Sequence, residues 1–576
     1  MKWLPHLPFL LVVGLFGHGL CMFQKRGREE GPDEGDPHKK LRNNVADLFL
    51  ANEIAGARAG SVFQDAAACG LRGFRKLAEG AKSKKNVHRN ILRTLGKNSK
   101  WPELYWAKIR VWKPKQQVES WSWVPFLLPH ELVAALSSSA ASPDQLFSRE
   151  GLSQHGRRHI DMAEQQLGDS RLVPIGLWGD GVPCNYDRSE SLECFTVHLP
   201  GQTGKYRDLR IPCCVLNKKF VLKDETFDDI MSVLTWSFEQ LALGTMPVKK
   251  HDGSPFAKQD KKRKKAAGQS IPRGILVELA GDWAFYKSLL RLPQHNEKDG
   301  CCWLCAATPD NYKDCSMTAP WRQQRLSHWD LMRRMQEKGV GLSPLWSVPF
   351  FTSSCVQIDW LHTADKGVTA DFLGSYFKYL LRFFPGTTIK QRCSNLFLDI
   401  QRYYQANAVE TQLQNLVPTM LGKKQQKPKF NGKAAEARFL MPYVVETCAR
   451  FLGQSELEVT VAAAAEALNN CYKNLSAAVF DADDLGQNCR RYCLLAVALE
   501  RQGTGLMWGV RPKLHLFQEM CEFSRSCPAL SWTYRDEDFG GSLARGSVRR
   551  GGASNPSATG RAVLQKFCAK HALPRL

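Results

Sequence analysis

At residues 273–305 the chain reads RGILVELAGDWAFYKSLLRLPQHNEKDGCCWLC, and three kinds of signal meet there. Ile275, Leu276, Val277 and Leu279 form a short apolar run that predicts a buried strand, and Gly281 and Asp282 end it. Trp283, Tyr286, Leu289 and Leu290 then fall on one face of a helix that stops at Pro293. Asp282 is thereby placed at a strand-to-helix switch, where a carboxylate is presented to a cleft. Beyond the proline, Cys302 and Cys305 have the C-x2-C spacing at which two thiolates can share one metal ion.

A second stretch repeats the device. Leu172, Val173, Ile175, Leu177 and Trp178 predict another apolar strand, and it ends in Gly179, Asp180 and Gly181. Aspartate beside glycine is ordinary turn chemistry when met singly. Two strands that each deliver one such aspartate suggest two carboxylates converging on a metal.

Working outward, residues 192–199 and 209–221 read as two further strands, and 227–243 as a helix with Ile230, Val233, Leu234, Phe238 and Leu241 inward. The order strand, strand, strand, helix, strand opens an α/β ribonuclease H-like domain, a fold that holds metal-binding acids on its first and fourth strands. Residues 359–510 carry helical stripes almost throughout, such as Leu373, Phe377, Leu380, Leu381 and Phe384, and are too long for a loop, which predicts an all-α insertion. The expected organisation is a signal-like leader at 1–21, a linker at 22–45 and a basic helical region at 46–135. A first α/β part at 172–300 and the C-x2-C segment at 301–358 come next, then the insertion, a last α/β part at 511–545 and a basic tail at 546–576. Residues 101–135 carry alternating aromatics such as Trp106 and Trp112, the Ser/Ala stretch from there to about Asp144 reads as a linker, and 321–337 as one basic amphipathic helix.

The chain of 576 residues is 43% hydrophobic, enough for a large core. Lys and Arg number 79 against 56 acids, a formal charge of +23 that favours a polyanionic partner, nucleic acid ahead of a membrane surface. The basic residues concentrate at 72–100, with ten Lys/Arg and one acid, and at 249–265, with eight Lys/Arg and two Asp. The 19 cysteines are scattered around a single C-x2-C pair, which points to free thiols and a metal knuckle over a disulfide framework. Gly80, Ala81, Lys82 and Ser83 lack the glycine spacing and preceding strand of a phosphate-binding loop, and neither a nucleophile elbow nor a dinucleotide turn appears. Residues 1–21, with Lys2 and an apolar run at 9–16, resemble a secretory signal peptide, which predicts a secretory route as the alternative to a nuclear location.

Taken together, Asp180, Asp282, the C-x2-C after it, the Asp359/His362 pair, the helical insertion and the late acidic stretch at 532–540 resemble the CACTA and hAT-like cut-and-paste DNA transposases, over residues 172–545. The resemblance implies an acid triad of Asp180, Asp282 and Glu537, since Tyr534 and Glu537 keep the family's aromatic-x-x-Glu spacing. Asp536, Asp538 and Asp359 are the other candidates for the third acid. It implies two Mg2+ or Mn2+ ions on the triad, cutting a DNA strand and then joining its freed 3′-hydroxyl to target DNA. It also implies a structural Zn2+ on Cys302 and Cys305, with His362 as a further ligand by family analogy and Cys315 and His328 behind it. The implied partners are double-stranded DNA and further copies of the chain, without a small-molecule cofactor. The chain departs from the family in lacking a zinc-finger array before the basic helical region and in its signal-like leader. Two other readings stand beside the enzyme: a domesticated, inactive DNA- or chromatin-binding protein, and a secreted or luminal cysteine-rich protein.

Overall fold

The computed structural model describes residues 36–547 and 555–576, apart from 84, 85, 97, 98, 186, 299, 424, 504 and 506. The signal-like leader and most of the expected linker lie outside the described residues. The linker ends early, because Asp36 caps a helix: its carboxylate accepts the His38 N–H at 2.9 Å, and Pro37 occupies the first helical position. Helices Pro37–Leu50, Gly56–Ala68, Arg75–Ala81 and Val87–Gly96 close a small core around Phe49, Phe63, Phe74 and Ile91.

The region expected to be helical to residue 135 then changes character. Strands β1 (Tyr105–Lys113) and β2 (Val118–Phe126) pair as an antiparallel hairpin, with Tyr105, Ala107, Ile109 and Val111 buried on one face. The expected Ser/Ala linker begins inside a helix, Pro129–Ser139, that buries Leu132, Val133 and Leu136, and a 3-10 turn follows at Pro143–Phe147. The basic stretch at 249–265 is not all free for a partner either. Arg263, on the Lys261–Ala266 helix, is buried against Glu131 at 2.6 and 2.8 Å, while Lys258, Lys261, Lys264 and Lys265 are exposed.

The second sheet carries the site. It is built from β3 (Val173–Pro183), β4 (Ser191–His198), β5 (Arg210–Asn217) and β6 (Gly274–Ala280), in the order β5-β4-β3-β6. β3 runs antiparallel to β4 and parallel to β6. The crossover from β5 to β6 passes through the Lys223–Leu243 helix, the kind of connection a parallel pair needs. Both faces of β6 are covered, which is why its sequence is a continuous apolar run. Leu276 and Leu279 enter the main core, while Ile275 and Val277 pack with Ile160 and Ala163 of the Gln154–Leu167 helix. Asp180 does not end its strand: β3 continues to Pro183, and Asp180 pairs with Cys194 in mid-ladder.

Downstream, the segment expected as one helix at 321–337 is broken into Pro320–Gln323 and His328–Glu337. Five long helices between Ala370 and Gln502 form the insertion and share the main core with the sheet. It leaves and rejoins the sheet at neighbouring points, since Asp359 Oδ1 accepts the Thr533 N–H at 2.9 Å. The expected C-terminal tail is instead a helix, Pro556–Lys570, packed on β2, β5 and the Val87–Gly96 helix. The whole is a mixed α/β protein in which helix outweighs sheet. No helix of the described residues is long and apolar enough to cross a membrane. Every described cysteine is a free thiol, so no disulfide framework supports the cysteine-rich secreted reading among these residues.

Candidate metal centres

Asp180 and Asp282 reach one cleft from parallel neighbouring strands. Asp282 follows β6 directly and caps the Trp283–Leu290 helix, its Oδ1 accepting the Phe285 N–H at 2.6 Å. The ring of Phe285 explains the glycines beside both aspartates. A Cβ on Gly179 would meet it at 2.3 Å, and one on Gly281 at 2.5 Å, so these glycines admit a ring, and neither lies at positive φ. The flanking glycines thus serve packing between β3, β6 and the following helix.

Glu537 arrives on the Tyr534–Ser547 helix, whose first turn is fixed by its neighbours. Thr533 N–H is held by Asp359, Tyr534 Oη donates to Asp365 at 2.5 Å, Arg535 pairs with Asp208, and Asp536 is buried against Arg210 at 2.5 and 3.1 Å. Asp536 is thereby removed as a third acid, and Asp538 is exposed. Glu537 is the acid left over, and its Oε1 is buried without a hydrogen-bond partner. Ligand atoms of Asp180, His362 and Glu537 lie within 4.8 Å of one another. Asp282, Asp359, His362 and Lys513 line the adjoining cavity.

His362 was expected beside the cysteines and is placed here instead. Its Nδ1 lies 2.7 Å from Asp359 Oδ2, and its Nε2 faces Glu537 Oε1 at 3.9 Å. Asp359, the outside candidate for the third acid, is fully engaged: it orients His362 with one oxygen and ties down Thr533 with the other. Sequence reasoning also missed Lys513, whose Nζ donates to the His362 carbonyl at 2.6 Å beside the kink at Gly367.

The electrostatics are those of several buried acids facing one imidazole, with Lys513 at the cavity wall. Burial, then the charge of Asp282, raises the Asp180 carboxyl above its usual range. Burial and Asp180 push Glu537 up to about 8. Burial lowers the His362 imidazole, but the bond to Asp359 and the nearby carboxylates outweigh it and raise it to about 8. An orphaned carboxylate oxygen among acids that repel one another is what a site for a hard cation looks like without the cation. The carboxylates suit Mg2+ or Mn2+, whereas the imidazole is the softer donor of the group and suits Mg2+ least.

Behind the site, Asp365 accepts from Trp360 Nε1 at 3.1 Å, Tyr472 Oη at 2.6 Å and Tyr534 Oη at 2.5 Å. Burial pushes its carboxyl up to about 7, the bonds from Tyr472 and Tyr534 opposing the shift. An acid whose folded pKa is raised favours folding most below its unfolded pKa and loses that contribution as pH rises through the folded value. The stability of the native chain relative to Asp365→Asn is therefore expected to fall between about pH 4 and pH 7, as read by urea unfolding of both proteins across that range. A difference independent of pH would mean that Asp365 is ionised throughout.

The two cysteines form a second centre. Cys302, Cys305, His515 and Glu519 are all buried, with one ligand atom from each within 4.8 Å of the others. Cys305 Sγ lies 3.3 Å from His515 Nε2, and His515 Nε2 lies 3.5 Å from Glu519 Oε1. Burial opposes ionisation of Cys302, but hydrogen bonding from Cys305 and the neighbouring His515 outweigh it and pull the thiol down. Arg325 grips Glu519 with bonds of 2.7 and 2.8 Å, so two thiolates and one divalent ion would leave the centre neutral. Two sulfurs, an imidazole and a carboxylate make a donor set suited to Zn2+. Neither Cys315 nor His328 joins it: Cys315 donates to the Lys313 carbonyl, and His328 Nδ1 takes the Ser353 N–H.

No protein-family model matches the sequence, and no curated protein matches it.

Proposed function

We propose that the chain is a metal-dependent enzyme that cuts and rejoins DNA strands, a transposase with a ribonuclease H-like catalytic domain. The observation that carries this reading is the convergence of Asp180, His362 and Glu537 within 4.8 Å, from elements more than 350 residues apart (537 − 180 = 357), with Asp282 lining the adjoining cavity. The strand order β5-β4-β3-β6 supports it, since Asp180 lies on β3 and Asp282 two residues past the end of β6, and these first and fourth strands in chain order run side by side and parallel.

Asp180, Asp282 and Glu537 would hold Mg2+ or Mn2+, which when bound supplies an activated water and relief of charge on the leaving oxygen. Asp359 fixes His362 and the start of the Glu537 helix, so that both donors keep their places. Lys513 adds a cation at the cavity wall, suited to a phosphate oxygen. Cys302, Cys305, His515 and Glu519 would hold Zn2+ as a structural clasp. The exposed cations Arg72, Arg75, Lys76, Arg89 and Arg93, with Lys258, Lys261, Lys264 and Lys265, supply phosphate contacts on duplex DNA.

The test is nicking of supercoiled plasmid by the purified chain. Cleavage is expected with Mn2+ or Mg2+ and none with chelator, and duplex binding should weaken steeply with salt, by about 0.9 log units per log unit for each phosphate contacted. Salt-independent binding, or binding without cleavage in either metal, would overturn the enzyme reading.

A further inference from the structure

The β1–β2 hairpin turns one face to the core and leaves the other uncovered. On that outer face the register sets Lys108 opposite Trp123 and Arg110 opposite Trp121. Trp121 is 58% and Trp123 50% exposed, an unusual state for the side chain with most apolar area to lose. Neither ring is idle packing: the Lys108 ammonium stands 5.7 Å from the Trp123 ring and the Arg110 guanidinium 5.9 Å from the Trp121 ring. Arg110 is paired with both carboxylate oxygens of Asp229, so Lys108, which is exposed, is the cation of the two left for a phosphate.

We propose that this face binds single-stranded nucleic acid. Residues i and i+2 of a strand project to the same side about 6.8 Å apart. That is about twice the 3.4 Å step between stacked bases, so one base fits between the rings of Trp121 and Trp123. The cations alternate along β1 while the rings alternate along β2, which sets a row for phosphates beside a row for bases. Charge agrees: the hairpin carries Lys108, Arg110, Lys113 and Lys115 against Glu119 alone. Beyond it, the Pro556–Lys570 helix packs on both β2 and the Val87–Gly96 helix, so the platform adjoins the basic N-terminal unit. A base inside a duplex has both faces stacked already and cannot enter the slot, so the platform selects an unpaired strand.

Fluorescence anisotropy of labelled dT20, titrated with the full chain without added Mg2+ or Mn2+ and without chelator, tests the proposal apart from cleavage. Trp121→Ala with Trp123→Ala is expected to weaken dT20 binding by roughly tenfold or more, while a 20-base-pair duplex is bound within about twofold of the native chain. Because both side chains are exposed, circular dichroism should be unchanged, and Trp121→Phe with Trp123→Phe, which keeps flat rings, should retain most of the affinity. Failure of the native chain to bind dT20, equal losses on dT20 and duplex, or an alanine pair that binds dT20 normally would each overturn it. Native binding to neutral or anionic vesicles with none to dT20 would assign the face to a membrane instead. A chain inactive in plasmid cleavage would leave this measurement untouched.

Discussion

Glu537→Gln is expected to lower plasmid cleavage by roughly 10³-fold or more, about 4 kcal/mol of transition-state stabilisation, while duplex binding survives. Glutamine keeps the length of the side chain and removes the charge. The rest of the first turn is secured by Asp359, Asp365, Asp208 and Arg210, so the helix has no reason to move. Stability supplies a second readout with the opposite sign. In the ion-free chain Glu537 is buried beside Asp180 and its carboxyl is pushed up to about 8. Below that pH the native side chain is protonated and resembles glutamine. As pH rises from the unfolded value of 4.5 towards 8, the unfolded chain gives up this proton while the folded chain must keep it or bury a charge beside Asp180, so the native chain loses stability relative to the variant. Glu537→Gln should therefore melt higher than the native chain without metal, by a margin that grows between about pH 4.5 and pH 8 and levels off above it. Mn2+ should raise the melting temperature of the native chain and leave that of the variant nearly unchanged. Equal cleavage, or equal stabilisation by Mn2+, would remove Glu537 from the centre.

How much of this was legible depends on how local each signal is. The strand at Ile275–Leu279 needed only its own apolar run, and the helix after it only its period, so both were read correctly. Gly179 and Gly281 were visible as flanks of the two aspartates, but the reason for them was not, because the ring that requires them is Phe285 on the following helix. The hairpin was missed for a related reason. Its turn carries Pro114 just after Lys113, but Gln117 at φ 53° stands where asparagine or glycine would announce the fold, so the local signal of reversal was a weak one. In the C-terminal helix, Asn555 and Pro556 are a proper start signal, outweighed in reading by the Gly/Ser-rich run before them. Glu537 was reached through its spacing from Tyr534 and a family resemblance. The reason for that spacing, a tyrosine held by Asp365 so that the next turn faces Asp180, exists only in three dimensions. His362 was placed with the cysteines by family analogy, whereas His515 lies 210 residues from Cys305 and looks like any histidine on a short helix.

That separation makes the cysteine centre the other place where one atom should matter greatly. Cys305→Ser, and independently His515→Ala, is expected to abolish a zinc content of about one ion per chain and to lower the melting temperature markedly. The centre joins residues 302–305 to 515–519, the stretch from which the chain runs on to Glu537, so it anchors the return of the insertion to the sheet. Without the ion, the thiolate of Cys302 and the Arg325–Glu519 pair remain buried with one partner missing, a situation that costs about 3–5 kcal/mol. The variants should also lose cleavage, because Thr533 and Glu537 follow the displaced segment. His362→Ala separates the two centres. It touches the carboxylates and not the cysteines, so zinc should be retained while cleavage falls. Elemental analysis of protein purified without chelator, with melting curves for all three variants, decides the matter. Zinc lost from His362→Ala but kept by His515→Ala would return the ligand to the position that the family resemblance implied. Absence of zinc from the native chain would leave four buried groups held together by hydrogen bonds alone.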